Sequence, residues 1–131
     1  MSASEPWWLG RLQVDVAHVE TVREHGGLHG VRDENLLESA LARPRQRWTY
    51  QPDVRLAELA ACYAFGLVKN HPYVDGNKRV GLIVHTAFLA RNGVRLTASE
   101  PEALEVFLAL AAGAVMESEL ATWVDRHIRP R

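Results

Sequence analysis

The stretch from His71 to Leu82, HPYVDGNKRVGL, decides how the rest of the chain is read. It gathers an imidazole, a carboxylate, a carboxamide and two cations around a glycine, then turns apolar. His71-Pro72 should end the helical pattern before it, because proline disfavours a helical residue ahead of it. Near Asn77 a new pattern opens, in which Val80, Leu82, Ile83, Val84, Ala87, Phe88 and Leu89 are apolar most of the way round a helix. A helix with that pattern is central and buried. The polar cluster therefore stands at the N-terminus of a buried helix.

Such an end is an anion site before any side chain is counted, since its first N–H groups lack partners and its dipole is positive. Gly76 has no Cβ to keep a phosphate off the backbone. Asn77, Lys78 and Arg79 add an amide donor, a mobile point charge and a planar fork. The lysine is unusual, because the chain holds only Lys69 and Lys78 against thirteen arginines. Asp75 alone would repel a phosphate, but a carboxylate becomes a ligand when magnesium lies between the two. His71 carries an imidazole, the group that changes charge nearest neutrality and so can accept a proton. The chemistry suggested is proton removal from a hydroxyl beside a metal-bound nucleotide phosphate. A plainer reading of the same residues makes Asp75 the helix N-cap, Lys78 and Arg79 solvated charges, and His71 a helix stop. Two cations at this helix end cost a few tenths to ~1 kcal/mol each unless an anion compensates, which favours the site.

Outward from the cluster, the pattern is helical nearly throughout, without repeats or low-complexity segments. Val16, Val19 and Val22 mark a first helix that should stop at Gly26-Gly27. Asp33 looks like the N-cap of a second helix, ended at Arg43-Pro44, after which PRQRWTYQP reads as a loop. Asp53 can cap a third helix carrying Leu56, Leu59, Ala60, Tyr63 and Leu67. The fourth runs to Asn92-Gly93; Ser99 and Glu102 form a capping box for a fifth, and Leu120, Trp123 and Val124 mark a last one. Leu9–Leu12 and Val94–Thr97 are candidate extended pieces. His18 and His85 read as packed, hydrogen-bonded helix residues, and His25 and His29 as shaping the turn. The fold expected is all-α, a compact bundle of about six helices in one domain over residues 1–131.

The chain is 131 residues, 47% apolar and 24% charged, which is ordinary for a globular domain with a real core. A net charge of −1 favours neither direct nucleic-acid binding nor an anionic membrane. No apolar run is long enough to span a bilayer. One cysteine, Cys62, sits in an apolar run and reads as a packing residue. With no leader-like N-terminus, this points to the cytoplasm.

HPYVDGNKR resembles the nine-residue active-site loop of the Fic/Doc superfamily, His-Pro-Phe-x-Asp/Glu-Gly-Asn-Gly/Lys-Arg. GGLHGVRDENLLESALARPRQ and NGVRLTASEPEA are similar to segments of its Doc (death-on-curing) branch. In adenylylating Fic members a glycine stands where Lys78 is, and a second arginine where Leu82 is; both departures match the Doc branch. The resemblance implies a bacterial toxin that transfers the γ-phosphoryl group of ATP to a threonine of translation elongation factor Tu. It implies His71 as general base, Asp75 as magnesium ligand, and Gly76, Asn77, Lys78 and Arg79 as phosphate holders. Tyr73 replaces the usual inward-packed phenylalanine, so its hydroxyl needs a partner. The superfamily's inhibitory motif, Ser/Thr-x-x-x-Glu-Gly/Asn, is absent: Gly30 stands four residues before Glu34-Asn35. Restraint is then expected from a separate Phd-like antitoxin. Trp7, Trp8, Trp48 and Tyr50 are candidates for its surface, with packing as the alternative. The Pro44–Pro52 loop lies where the family places a target-docking flap, with a plain connector as the alternative.

Overall fold

The computed structural model describes residues 4–131. Six helices follow in order: α1 (Arg11–His25), α2 (Glu34–Tyr50), α3 (Leu56–Asn70), α4 (Asn77–Arg91), α5 (Glu100–Ala111) and α6 (Glu117–Arg126). A two-stranded ribbon of β1 (Val94–Leu96) and β2 (Ile128–Pro130) is the one sheet among the described residues.

The core forms around α3 and α4. α3 buries Ala57, Leu59–Ala64, Gly66, Leu67 and Val68, and α4 buries Asn77, Val80–Leu82, Val84, His85, Phe88 and Leu89. Small residues let the two approach: a Cβ on Gly81 would lie 2.9 Å from Val68 Cγ2. The expected central helix after the loop is therefore present, but α3 is the more enclosed, with α2, α4, α5 and α6 all packed on it. Phe107, Leu110, Leu120 and Val124 close the core from α5 and α6.

Local capping signals hold. Asp33 Oδ1 accepts from Leu36 N at 2.9 Å, and Ser99 and Glu102 form the reciprocal box. Elsewhere tertiary packing overrides the local pattern. α2 does not stop at Arg43-Pro44 but runs through Pro44 to Tyr50, although an interior proline costs about 3 kcal/mol. Leu37, Ala40 and Pro44 share one buried face, and the arginines beside that face are tied down. Arg43 reaches Cys62 O and Glu117, and Arg47 reaches Glu58. The segment expected to be a docking flap is thus helical through Tyr50. Asp53 does not cap α3; Arg55 takes that place without a side-chain cap, and pairs with Glu58 and Asp125.

α1 buries Val14, His18, Thr21 and Val22, leaving Val16 and Val19 exposed, so the apolar stripe expected on it is rotated. Its inner face looks onto the polar loop, which selects polar residues there. Leu9 is not in a strand: its N–H donates to Tyr63 Oη and its carbonyl accepts from it, at 3.1 and 3.2 Å. Val94–Leu96 is extended as expected, paired with the unforeseen β2. Trp8 stacks on Phe88 and meets Trp48 edge-on, so both are packing residues, whereas Trp7 and Tyr50 remain exposed. Among the described residues no helix is long and apolar enough to cross a membrane.

Candidate active site

The loop between α3 and α4 starts with an unusual backbone. His71 has φ 51° and ψ 53°, the one non-glycine residue of positive φ among those described. That conformation costs roughly 1–2 kcal/mol for a residue with a Cβ. Arg32 offsets it: its Nε donates to His71 O at 2.7 Å and its Nη2 to Asn70 O at 2.8 Å. A cation at the C-terminal carbonyls of a helix is favourable besides. The neighbouring chain follows the loop, with Arg32 N and Asp33 N donating to Pro72 O, and Val74 N to Gly30 O. The His71 ring is exposed and takes no hydrogen bond among the described residues.

Tyr73 points inward, and its hydroxyl has the partner the sequence demanded: it donates to Asp15 Oδ1 at 2.6 Å. Burial first, then the Asp15 carboxylate, push the phenol's pKa above its ordinary range. Asn77 is 3% exposed, and its amide closes the loop on itself. Oδ1 accepts from Tyr73 N at 3.0 Å, and Nδ2 donates to Tyr73 O at 2.9 Å. Of the residues expected to hold phosphate, Asn77 is therefore turned inward and shapes the loop.

Asp75 is held at two points. Oδ2 accepts from Leu28 N at 2.7 Å, and the backbone carbonyl accepts from His18 Nε2 at 3.0 Å. A carbonyl only accepts, so the His18 proton sits on Nε2. His18 stacks on Tyr73, with ring centroids 3.9 Å apart, and burial lowers its pKa. Asp75 is not the N-cap of α4. That position is Gly76, at φ 84°, with no side-chain cap and no acidic residue in the first turn. The left-handed backbone favours glycine here, and α1 crowds the position as well, since an added Cβ would lie 3.3 Å from Thr21 Cγ2. The side that a Cβ would occupy thus faces α1 and not an incoming ligand.

Lys78 is exposed at the start of α4. Arg79 is half-buried, 3.5 Å from Glu100 Oε1. It rims a groove of about 550 Å³ between α1, α4 and α5, lined by His25, Leu82, Ile83 and Glu100 among others. Sequence reasoning missed Asp15, His18 and Arg32, which hold the loop from outside it. One signal was available: a buried Tyr73 hydroxyl had to meet an acceptor.

The chain is thus an all-α bundle whose buried α4 begins at an uncapped, cation-bearing turn directly after His71-Pro72-Tyr73. The sequence model of the Fic/DOC family matches residues 8–89, and the chain belongs to that family. Over 75 residues it is 45% identical to a protein named Toxin Doc from Mycolicibacterium smegmatis (strain ATCC 700084 / mc(2)155). That match covers 56% of this chain and 57% of the mycobacterial one.

Proposed function

We propose that the chain is the toxin of a toxin–antitoxin pair. In this reading it is a protein kinase that moves the γ-phosphoryl group of ATP to a threonine hydroxyl of elongation factor Tu and stops translation. The observation that carries the phosphate chemistry is the start of α4: an uncapped positive end with Lys78 and Arg79 and no acid in its first turn. Such an end favours an anion, and among the described residues the first turn has neither a side-chain cap nor an acid of its own. Among those residues Glu100, 3.5 Å from Arg79, is the one carboxylate paired there. The name of the mycobacterial relative supports the toxin, and Lys78 in place of glycine supports phosphate rather than AMP transfer.

In this reading His71 takes the proton of the acceptor hydroxyl as its oxygen attacks the γ-phosphorus, while the bond from that phosphorus to the β–γ bridging oxygen breaks and ADP leaves. Lys78, Arg79 and the first N–H groups of α4 hold the phosphates. Asp75 fits a magnesium ion: Oδ2 is fixed by Leu28 N while Oδ1 has no hydrogen-bond partner among the described residues. A single carboxylate suits magnesium, so Asp75 would hold the ion, which when bound would offset phosphate charge. Restraint would come from a separate Phd-like antitoxin chain, and the bacterial cytoplasm is where the target lies.

Intact-mass analysis of elongation factor Tu, incubated with the protein, ATP and magnesium, tests the reading. One added phosphate, lost in His71→Ala, is expected. An added AMP group would replace the kinase by a Fic-type adenylyltransferase. No modification, with growth arrest retained in His71→Ala and Lys78→Ala, would leave a catalytically silent partner-binding module.

A further inference from the structure

Among the described residues the His71 ring has no hydrogen bond of its own, so its place is set by its backbone. That backbone occupies a region a histidine disfavours, and one side chain grips it. The Nε and Nη2 atoms of Arg32 lie on one edge of a planar guanidinium and meet two successive carbonyls, of Asn70 and His71. No other residue type offers two donors in that fixed geometry. Arg32 is itself exposed and forms no ion pair among the described residues, so its charge is not otherwise engaged. The Arg32 N–H donates to Pro72 O at 2.7 Å, which ties the same residue to the other side of His71.

We infer that Arg32 is a positioning residue for His71. Its fork holds the left-handed turn that aims the imidazole, without touching nucleotide or acceptor. The inference rests on His71 being the general base. Releasing the fork lets His71 relax toward ordinary backbone angles and swings the ring away from the acceptor hydroxyl.

Arg32→Ala and Arg32→Lys test this, because an exposed side chain can be removed without opening the core. In Arg32→Ala, kcat for phosphate transfer should fall about tenfold to a hundredfold, the scale of an ångström-level misplacement. KM for ATP should change little, and guanidinium ion well below denaturing concentrations should restore part of kcat. Arg32→Lys, a point donor, should fall between. The backbone is read separately: His71 Cα and Cβ chemical shifts should leave left-handed values in Arg32→Ala and keep them in the wild type. Unchanged shifts with unchanged kcat overturn the inference. So does an activity loss that merely follows a lower melting temperature while the His71 shifts stay left-handed. If the wild type transfers nothing, the kinase reading fails, and the His71 shifts still decide whether Arg32 holds the turn.

Discussion

Tyr73 Oη and Asp15 Oδ1 lie 2.6 Å apart, and this bond joins the site loop to α1. Asp15 is held in turn by Arg11 Nε at 2.9 and 3.0 Å, and Arg11 also reaches Glu34 and Glu38 on α2. Removing the two ends should cost different amounts. Tyr73→Phe loses one bond but leaves Asp15 with Arg11, for about 1 kcal/mol. Asp15→Ala strands a buried hydroxyl and also loses the Arg11 pair within α1, for about 2 kcal/mol. Urea unfolding of both variants checks the order; Asp15→Ala milder than Tyr73→Phe would sink it.

Cys62 is 1% exposed, and burial pushes its thiol up to about 11. The thiolate is the reactive form, so at pH near 8 the folded protein should react with a disulfide reagent at least ~100-fold more slowly than the urea-unfolded chain. Equal rates would show that the thiol is accessible.

The legible parts of the fold were those written locally. Asp33 and Ser99–Glu102 cap their helices through bonds three residues long, and α4 announces its burial by being apolar nearly all round. Pro44 misled because its local penalty is outweighed by the packing of α2 on α3, which no short window contains. β2 was invisible because Val94 pairs with Pro130, far along the chain. The site divides the same way. Its loop could be read off nine consecutive residues. The groups that hold it, Arg32 on Asn70 and His71 or His18 on Asp75, act across 38 to 57 positions of sequence. The inward turn of the Asn77 amide was hidden because Asn serves equally as a ligand donor and as a loop brace.

His85 should make the protein acid-sensitive. It is fully buried in α4 with Phe107 edge-on, and Nε2 has no partner among the described residues. Burial lowers its pKa from 6.5 to about 4. Between these values the unfolded chain binds a proton that the folded one excludes, so stability rises with pH across the window. The contribution is complete above about 6.5, declines as pH falls and is gone near 4. A gap of that size corresponds to roughly 3 kcal/mol. His18, also lowered by burial, adds in the same direction. His85→Leu should flatten the loss measured by urea unfolding at neutral and acid pH. A slope unchanged from wild type would remove His85 as its source.

Gly76 carries the last prediction, because its two constraints can be separated. Its φ of 84° costs a residue with a Cβ about 1–2 kcal/mol. The new methyl must also fit 3.3 Å from Thr21 Cγ2. Gly76→Ala should therefore destabilise by at least the backbone amount and, under the proposed kinase function, weaken ATP binding measured by calorimetry, since the first N–H groups of α4 turn with residue 76. Adding Thr21→Ser removes the methyl and should recover only the contact share, leaving the backbone cost. Asparagine visits the left-handed region more readily than alanine, so Gly76→Asn should lose less from the backbone than its larger side chain suggests. Full recovery in the Thr21→Ser double variant would show that crowding against α1, and not the left-handed backbone, is what requires glycine at the head of α4.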